Sequence, residues 1–299
     1  MDINLIKLFE NFNSEDRCRE LLESLRWPSG VCCLRCGNVS VSKLANRHQY
    51  ECSGCRYQFS ATAGSVFHDS HLPLWKWFLA TYLVCEGKKG ISAHQLHRTI
   101  GVSYKTAWYL CHRIRGAMSA TERPLLDGTV EIDETYVGGH NKGSRRRAGF
   151  GDSNKQVVLG IRQRGGAVRF FHAEDAKTGT LQKFIEENIS EDVDVIMTDE
   201  YRPYRKAVGK AKHETVTHSA GEYVRLGTDI HTNSVESAFS LLKRGIIGTW
   251  HRLSAKHLQA YLDEMSFRFD RRNRPDLFVD TLRHMVTADP LTFEKLTAA

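Results

Sequence analysis

At 299 residues the chain is long enough for one catalytic domain of ordinary size and one or two small modules. Charged residues make up 26% and hydrophobic ones 41%, the balance of a soluble globular protein, and no run approaches the roughly 18 apolar residues of a membrane helix. A net charge of +7 and a pI near 9.0 favour a polyanionic partner over an acidic or neutral one. The opening MDINLIKLFENFNSED is acidic and lacks a basic-then-apolar signal pattern, so a cytoplasmic location is expected. Of eight cysteines, four form two CxxC pairs, which points to a reducing compartment and a metal site rather than a disulfide framework.

Residues 14–26 read as a short helix: Ser14 is the N-cap, Cys18, Leu21, Leu22 and Leu25 form an apolar face, and Trp27-Pro28 stops it. Next come Cys33-x2-Cys36, a spacer of 15 residues, and Cys52-x2-Cys55. Two tight CxxC turns at this separation suit one tetrahedral Zn2+ with four cysteine ligands, Cys33, Cys36, Cys52 and Cys55. Four protein ligands leave no open position, so the expected role is structural. The intervening VSKLANRHQYE supplies the strands of a zinc ribbon, and the two-residue gap selects Cys33 over its neighbour Cys32.

Residues 73–118 read as helical throughout. Leu74–Glu86 is rich in aromatics and is expected to be buried. Ser92 opens a helix that ends near Gly101, and Ser103 caps another in which Ala107, Cys111, Ile114 and Met118 form the apolar stripe. The other side of that helix carries Lys105, Tyr109, His112 and Arg113, so the pair reads as a helix-turn-helix with Lys105, Tyr109 and Arg113 as DNA contacts.

Near residue 124 the periodicity changes. Thr129–Val137, Val157–Gln163 and Val168–His172 read as three hairpin-linked strands, Thr180–Asn188 as a helix and Val193–Thr198 as a buried strand. Tyr201–Val208 looks helical and Glu214–Thr217 is a short strand. Then comes His231–Arg252, in which Val235, Phe239, Leu242 and Ile246 form a buried helical stripe and Asn233, Glu236, Ser240 and Lys243 a polar one beside it. A further helix, Lys256–Arg268, packs behind. This order, βββαβαβα, predicts an α/β ribonuclease-H-like domain with a mixed five-stranded sheet, in which acids on the first and fourth strands meet one on a late helix. The predicted domains are a helix and zinc ribbon over 14–72, a helical DNA-binding region over 73–124 and a catalytic domain over 125–285.

Three acids fit that expectation. Asp133 lies mid-strand in GTVEIDETYVGG, where aspartate is depleted; Asp199 ends an apolar strand; Glu236 lies on the polar stripe of the late helix. Glu131, on the same strand face as Asp133, is its main rival, and Glu200 competes with Asp199. Basic residues that would hold DNA phosphates are Lys142, Arg145, Arg146 and Arg147 in the long loop after the first strand, and Arg268, Arg271, Arg272 and Arg274 near the end of the last predicted helix. Trp250 and His251 either stack on an unpaired base or, for Trp250, pack in the core.

The segments VEIDETYVGG (130–139), IMTDEYRPY (196–204) and HTNSVESAFSLLKRGIIGTWHRLSAKHLQAYLDE (231–264), with the CxxC pairs and GVSYKTAWYLCHRIR (101–115), resemble bacterial insertion-sequence transposases that join an N-terminal zinc ribbon to a DDE domain. The resemblance runs from about residue 15 to 272. It implies Asp133, Asp199 and Glu236 as catalytic acids, holding two Mg2+ (or Mn2+) ions, and matches Lys243 to the basic residue that follows the third acid. Some relatives place Asn in the third position, and Asn233 stands one turn before Glu236; the carboxylate is the better ligand for a divalent cation, so Asn233 is assigned to DNA contact. The implied partners are double-stranded DNA, both transposon terminal repeats and target, and further copies of the chain on paired ends, with the protein at the nucleoid and no membrane partner. The competing readings are a catalytically silent DNA-binding regulator and a ribonuclease-H-like nuclease that cuts without joining.

Overall fold

The computed structural model describes residues 3–44, 47–119, 123–138, 155–251 and 253–298. The chain forms two compact units, Met1–Thr121 together with Arg272–Ala299, and Glu122–Arg271.

In the first unit, α1 (Leu5–Asn11) and α2 (Glu15–Arg26) precede a three-stranded antiparallel sheet of β1 (Val41–Leu44), β2 (Gln49–Cys52) and β3 (Gln58–Phe59). Ser14 caps α2 as expected, accepting the N–H of Arg17. The ribbon has a small aromatic core in which Trp27, Tyr50 and Phe59 pack with ring centroids 5.7–5.9 Å apart. Helices α3 (Leu74–Glu86), α4 (Ala93–Ile100) and α5 (Tyr104–Ser119) follow. Pro73 offers no capping oxygen to α3, and the Glu15 carboxylate accepts the N–H groups of Leu74 and Trp75 instead. Gly101 closes α4 in the left-handed conformation, φ 62°, and Ser103 accepts from Thr106 at the start of α5.

The second unit begins with β4 (Thr129–Val137), β5 (Gln156–Gln163) and β6 (Val168–Ala173), then α6 (Thr178–Asn188), β7 (Val195–Thr198), α7 (Tyr204–Ala207) and β8 (His213–Thr215). After a 3-10 turn at His218–Ala220 come α8 (Asn233–Gly245), a π-helical turn at Ile246–Trp250 and α9 (Ala255–Arg271). The strand order is β6-β5-β4-β7-β8; β4, β5 and β6 are antiparallel, and β7 and β8 run parallel to β4. This is the mixed five-stranded ribonuclease-H-like sheet expected from the element order.

Alternation along β4 divides the core. Val130 and Ile132 face a cluster built with Leu181, Phe184 and Ile185 of α6 and Tyr204 of α7. Val137 faces the opposite cluster with Val235, Phe239 and Leu242 of α8 and Leu262 and Met265 of α9. The apolar stripe of α8 thus lies on the sheet as its periodicity requires. It comes close at Gly160 of β5, the register partner of Asp133: a Cβ there would meet Phe239 Cζ at 2.5 Å. Phe239 is itself fixed against Phe170, so the ring has little room to give. Gly160→Ala is expected to destabilise the protein by roughly 1–3 kcal/mol through overpacking, read from the urea midpoint. A midpoint equal to wild type would mean that this approach is not a constraint.

Two expectations change. The second unit ends at Arg271, not near 285; α10 (Leu277–Thr287) and α11 (Phe293–Thr297) belong to the first unit, where Phe278 packs on Phe12, Phe78 and Tyr82. The late helix gives way at Gly245 to the π-helical turn, which carries Trp250 into the core against Tyr261. At 9% exposure Trp250 is a packing residue and not a base-stacking one. Among the described residues no helix is long and apolar enough to cross a membrane.

Candidate active site and zinc centre

The four cysteines converge. The ligand atoms of Cys33, Cys36, Cys52 and Cys55 all lie within 4.8 Å of one another, with Sγ–Sγ separations of 3.6 Å for Cys33–Cys55 and Cys36–Cys52. Tetrahedral zinc with Zn–S near 2.3 Å requires sulfurs about 3.8 Å apart, so the thiols fit the ion. Cys32 lies outside the group, as the spacing predicted.

In the second unit the sheet brings Asp133, Asp199 and Glu236 into one electrostatic neighbourhood. Asp133 points from the centre of β4 toward the α8 side, Asp199 follows the last residue of adjacent β7, and Glu236 is in the first turn of α8. The Asp133 carboxyl is pushed from an ordinary 3.8 up to about 7, first by burial, then by the charges of Glu134, Asp199 and Glu236. Asp199 is raised too, by burial and by Glu200 and Glu236, against the opposing Tyr201 N–H and His218. Carboxylates are hard oxygen donors of the kind that divalent cations such as Mg2+ take.

The rival acids have other partners. Glu131, on the Asp133 face and fully buried, accepts the N–H groups of Ser234 and Val235 at 2.8 and 2.9 Å and pairs with Arg164 at 2.7 Å. Glu134, on the opposite face, accepts the Tyr204 hydroxyl at 2.6 Å. Glu200 accepts the N–H groups of His218 and Ser219, which hold its carboxyl down at about 2.

One residue at the site escaped the sequence reading. His218 Nε2 lies 3.3 Å from Glu236 Oε1 and 3.2 Å from Thr232 Oγ1, and Thr232 donates to the same Glu236 oxygen at 2.9 Å. A histidine in a polar loop carries no periodic signal, and only the fold brings it to the third acid. Asn233 and Lys243 are exposed on the polar flank of α8 beside Glu236.

The expected DNA contacts on α5 divide. Lys105 is exposed on the first turn, with its ammonium 4.5 Å from the Phe293 ring. Arg113 is a correction: it is 5% exposed, donates to His68 O at 2.5 Å and stacks over Trp77 and Tyr109. The Tyr109 hydroxyl is likewise taken, donating to Leu291 O at 2.6 Å. The polar side of α5 is covered because the chain returns over it at Leu291 and Phe293. Lys142, Arg145, Arg146 and Arg147 lie outside the described residues. Of the later arginines, Arg268 forms a buried pair with Glu264, and Arg274 pairs with Asp276 and Asp280.

A zinc ribbon in one unit and a ribonuclease-H-like sheet with clustered acids in the other define a two-part protein of the transposase type. Residues 125–270 match the ISXO2-like transposase domain and residues 13–58 the transposase zinc-ribbon domain. The chain is 32% identical over 284 residues to a protein described as an uncharacterized protein in transposable element ISH50 of Halobacterium salinarum, covering 89% of this chain and 94% of that one. The chain belongs to the ISXO2-like transposases. Among solved structures it is similar to the Mos1 strand transfer complex, with a TM-score of 0.30 and 9% identity over 70% of this chain and 74% of that one. The pre-cleavage Mos1 transpososome gives a TM-score of 0.20 and 10% identity over 68% and 76%.

Proposed function

We propose that this transposase binds the ends of its insertion sequence, hydrolyses a phosphodiester to free a 3′-OH and joins that hydroxyl to target DNA. The observation that supports the reading is the placement of Asp133 on β4, Asp199 at the end of adjacent β7 and Glu236 in the first turn of α8, near enough that the charges of Asp199 and Glu236 add to burial and Glu134 in raising the Asp133 carboxyl. Two Mg2+ (or Mn2+) ions, when held by these three carboxylates, would supply Lewis acidity and a lowered water pKa at the scissile phosphate. In the first reaction water forms the new P–O bond and the 3′-oxygen leaves with the proton that completes its hydroxyl. In the second that 3′-oxygen bonds to a target phosphorus and the target's own 3′-oxygen leaves.

The chain's side chains divide the remaining work. Thr232 and His218 orient the Glu236 carboxylate. Lys243, two turns along the exposed flank of α8, offers a point charge to a DNA phosphate, and Asn233 an amide to the same strand. Lys105 is the contact on α5, with Lys142, Arg145, Arg146 and Arg147 as further phosphate ligands. The zinc centre is structural. Paired ends call for more than one copy of the chain, acting at the nucleoid.

The test is incubation of purified protein with its own element's ends, Mg2+ and a target plasmid. Glu236→Gln is expected to bind the ends as wild type does and to lose cleavage and strand transfer by at least about 10³-fold, the equivalent of ~4 kcal/mol in the barrier. Normal joining by that variant removes Glu236 from the catalytic set. Cleavage without joining by the wild type favours the nuclease reading instead.

A further inference from the structure

Asp133, Asp199 and Glu236 come from three separate elements, and their mutual spacing has to be set by something other than themselves. Arg164, in the turn after β5, touches β4, β7 and the segment that leads into α8, each just ahead of one of the acids. Its Nε donates to Glu131 Oε1 on β4 at 2.7 Å, two residues before Asp133. Its Nη2 lies 3.0 Å from Met197 Sδ on β7, two residues before Asp199. Its Nη1 donates to Asp229 O at 2.7 Å and Oδ2 at 2.6 Å, and Nη2 to His231 O at 3.0 Å, in the segment that leads into α8 and Glu236.

Glu131 completes the device. Its second oxygen accepts the N–H groups of Ser234 and Val235, which are unpaired donors of the first turn of α8, and Thr232 at the N-cap gives no side-chain cap. A carboxylate at a helix N-terminus is also favoured by the helix dipole. Glu131 and Met197 are register partners on adjacent parallel strands, so one guanidinium spans the β4–β7 pair and the segment before α8, while Glu131 holds the helix start. Both charges are enclosed, Glu131 fully and Arg164 at 16% side-chain exposure.

We infer that the Arg164–Glu131 pair is a positioning device that sets the spacing of Asp133, Asp199 and Glu236 and thereby the affinity of the site for divalent cations. The inference rests on the assignment of those three acids as metal ligands. Both act as positioning residues, through the elements that carry the acids. Loss of partners behind metal ligands generally weakens metal affinity ten- to a hundredfold.

The experiment is a Mn2+ binding isotherm on the full zinc-loaded chain without DNA, read by electron paramagnetic resonance, for wild type, Asp133→Asn, Glu131→Gln, Arg164→Lys and Leu181→Ala. Glu131→Gln keeps an acceptor for the helix N–H groups and removes the charge; Arg164→Lys keeps the charge and removes the fork. Leu181→Ala, on the opposite face of the sheet, is a control for general destabilisation. The expected result is a Mn2+ dissociation constant raised about tenfold or more in both pair variants, with that of Leu181→Ala close to wild type. An unchanged constant in the pair variants, or an equal rise in the control, overturns the inference. Should Glu131→Gln not fold, Arg164→Lys decides by the same isotherm. Wild type that binds no Mn2+, or that binds it equally well as Asp133→Asn, refutes the ligand assignment and the positioning role with it; a fall seen only with Asp133→Asn refutes the positioning role alone.

Discussion

Asp133→Asn is expected to abolish cleavage and joining while making the metal-free protein more stable at pH 8. The loss of activity follows from the proposed ligand role: Asn keeps the shape and gives up the charge that holds a divalent cation, and a fall of at least about 10³-fold is expected. The gain in stability follows from the carboxyl's environment. Burial and the neighbouring acids raise it in the folded state to about 7 from an ordinary 3.8. Between those two values the native state binds more protons than the unfolded one, so this group's contribution to stability is full below about pH 4 and is lost as pH rises through 7. At ~1.4 kcal/mol per pH unit the loss reaches at most about 4 kcal/mol.

Thermal unfolding without added Mg2+ checks this. Wild type is expected to lose stability from pH 5 to pH 8 more steeply than Asp133→Asn, and the variant to melt higher at pH 8. Added Mg2+ should raise the wild-type melting temperature at pH 8 and leave the variant's nearly unmoved. A variant that melts lower than wild type at pH 8 without Mg2+ would mean that burial and the neighbouring charges do not raise the Asp133 carboxyl. Strain of this kind is ordinary for a site whose charge is completed by a ligand.

The features legible in the sequence were those encoded by spacing. Two CxxC pairs bring four sulfurs together, the order of elements implied the mixed five-stranded sheet, and strand alternation put Asp133 on the face where α8 lies. Alternation could not separate Asp133 from Glu131, because both satisfy it; only the partners Arg164, Ser234 and Val235 give Glu131 a different task. Arg113 failed for a related reason. Helical period placed it on a polar side, but period is silent on what covers that side, and residues returning from beyond position 272 do so. His218 and Arg164 lie in a loop and a turn, where no repeat marks a residue, and their roles exist only once distant segments meet.

Cys52→Ser is expected to reduce bound zinc from about one ion per chain to none and to unfold the ribbon. The ribbon's own apolar core is small, Trp27, Tyr50 and Phe59 with Cys52 itself buried among the strands. Structural zinc contributes on the order of 10 kcal/mol in small zinc domains, comparable to the ~5–15 kcal/mol that holds a whole domain, so this core cannot stand in for the ion. The consequence passes to α2, which meets the ribbon through Trp27 and through Glu23, whose carboxylate accepts the Tyr50 hydroxyl at 2.9 Å. Helices α3 and α10 are joined by the Phe78 and Tyr82 rings on Phe278 and by a Cys85–Thr281 hydrogen bond, and are expected to stay folded, giving a loss of near-ultraviolet dichroism with most helical signal kept. Elemental analysis of the purified chain reads the zinc directly. Wild type without zinc, or Cys52→Ser with a full equivalent, would overturn the four-cysteine centre.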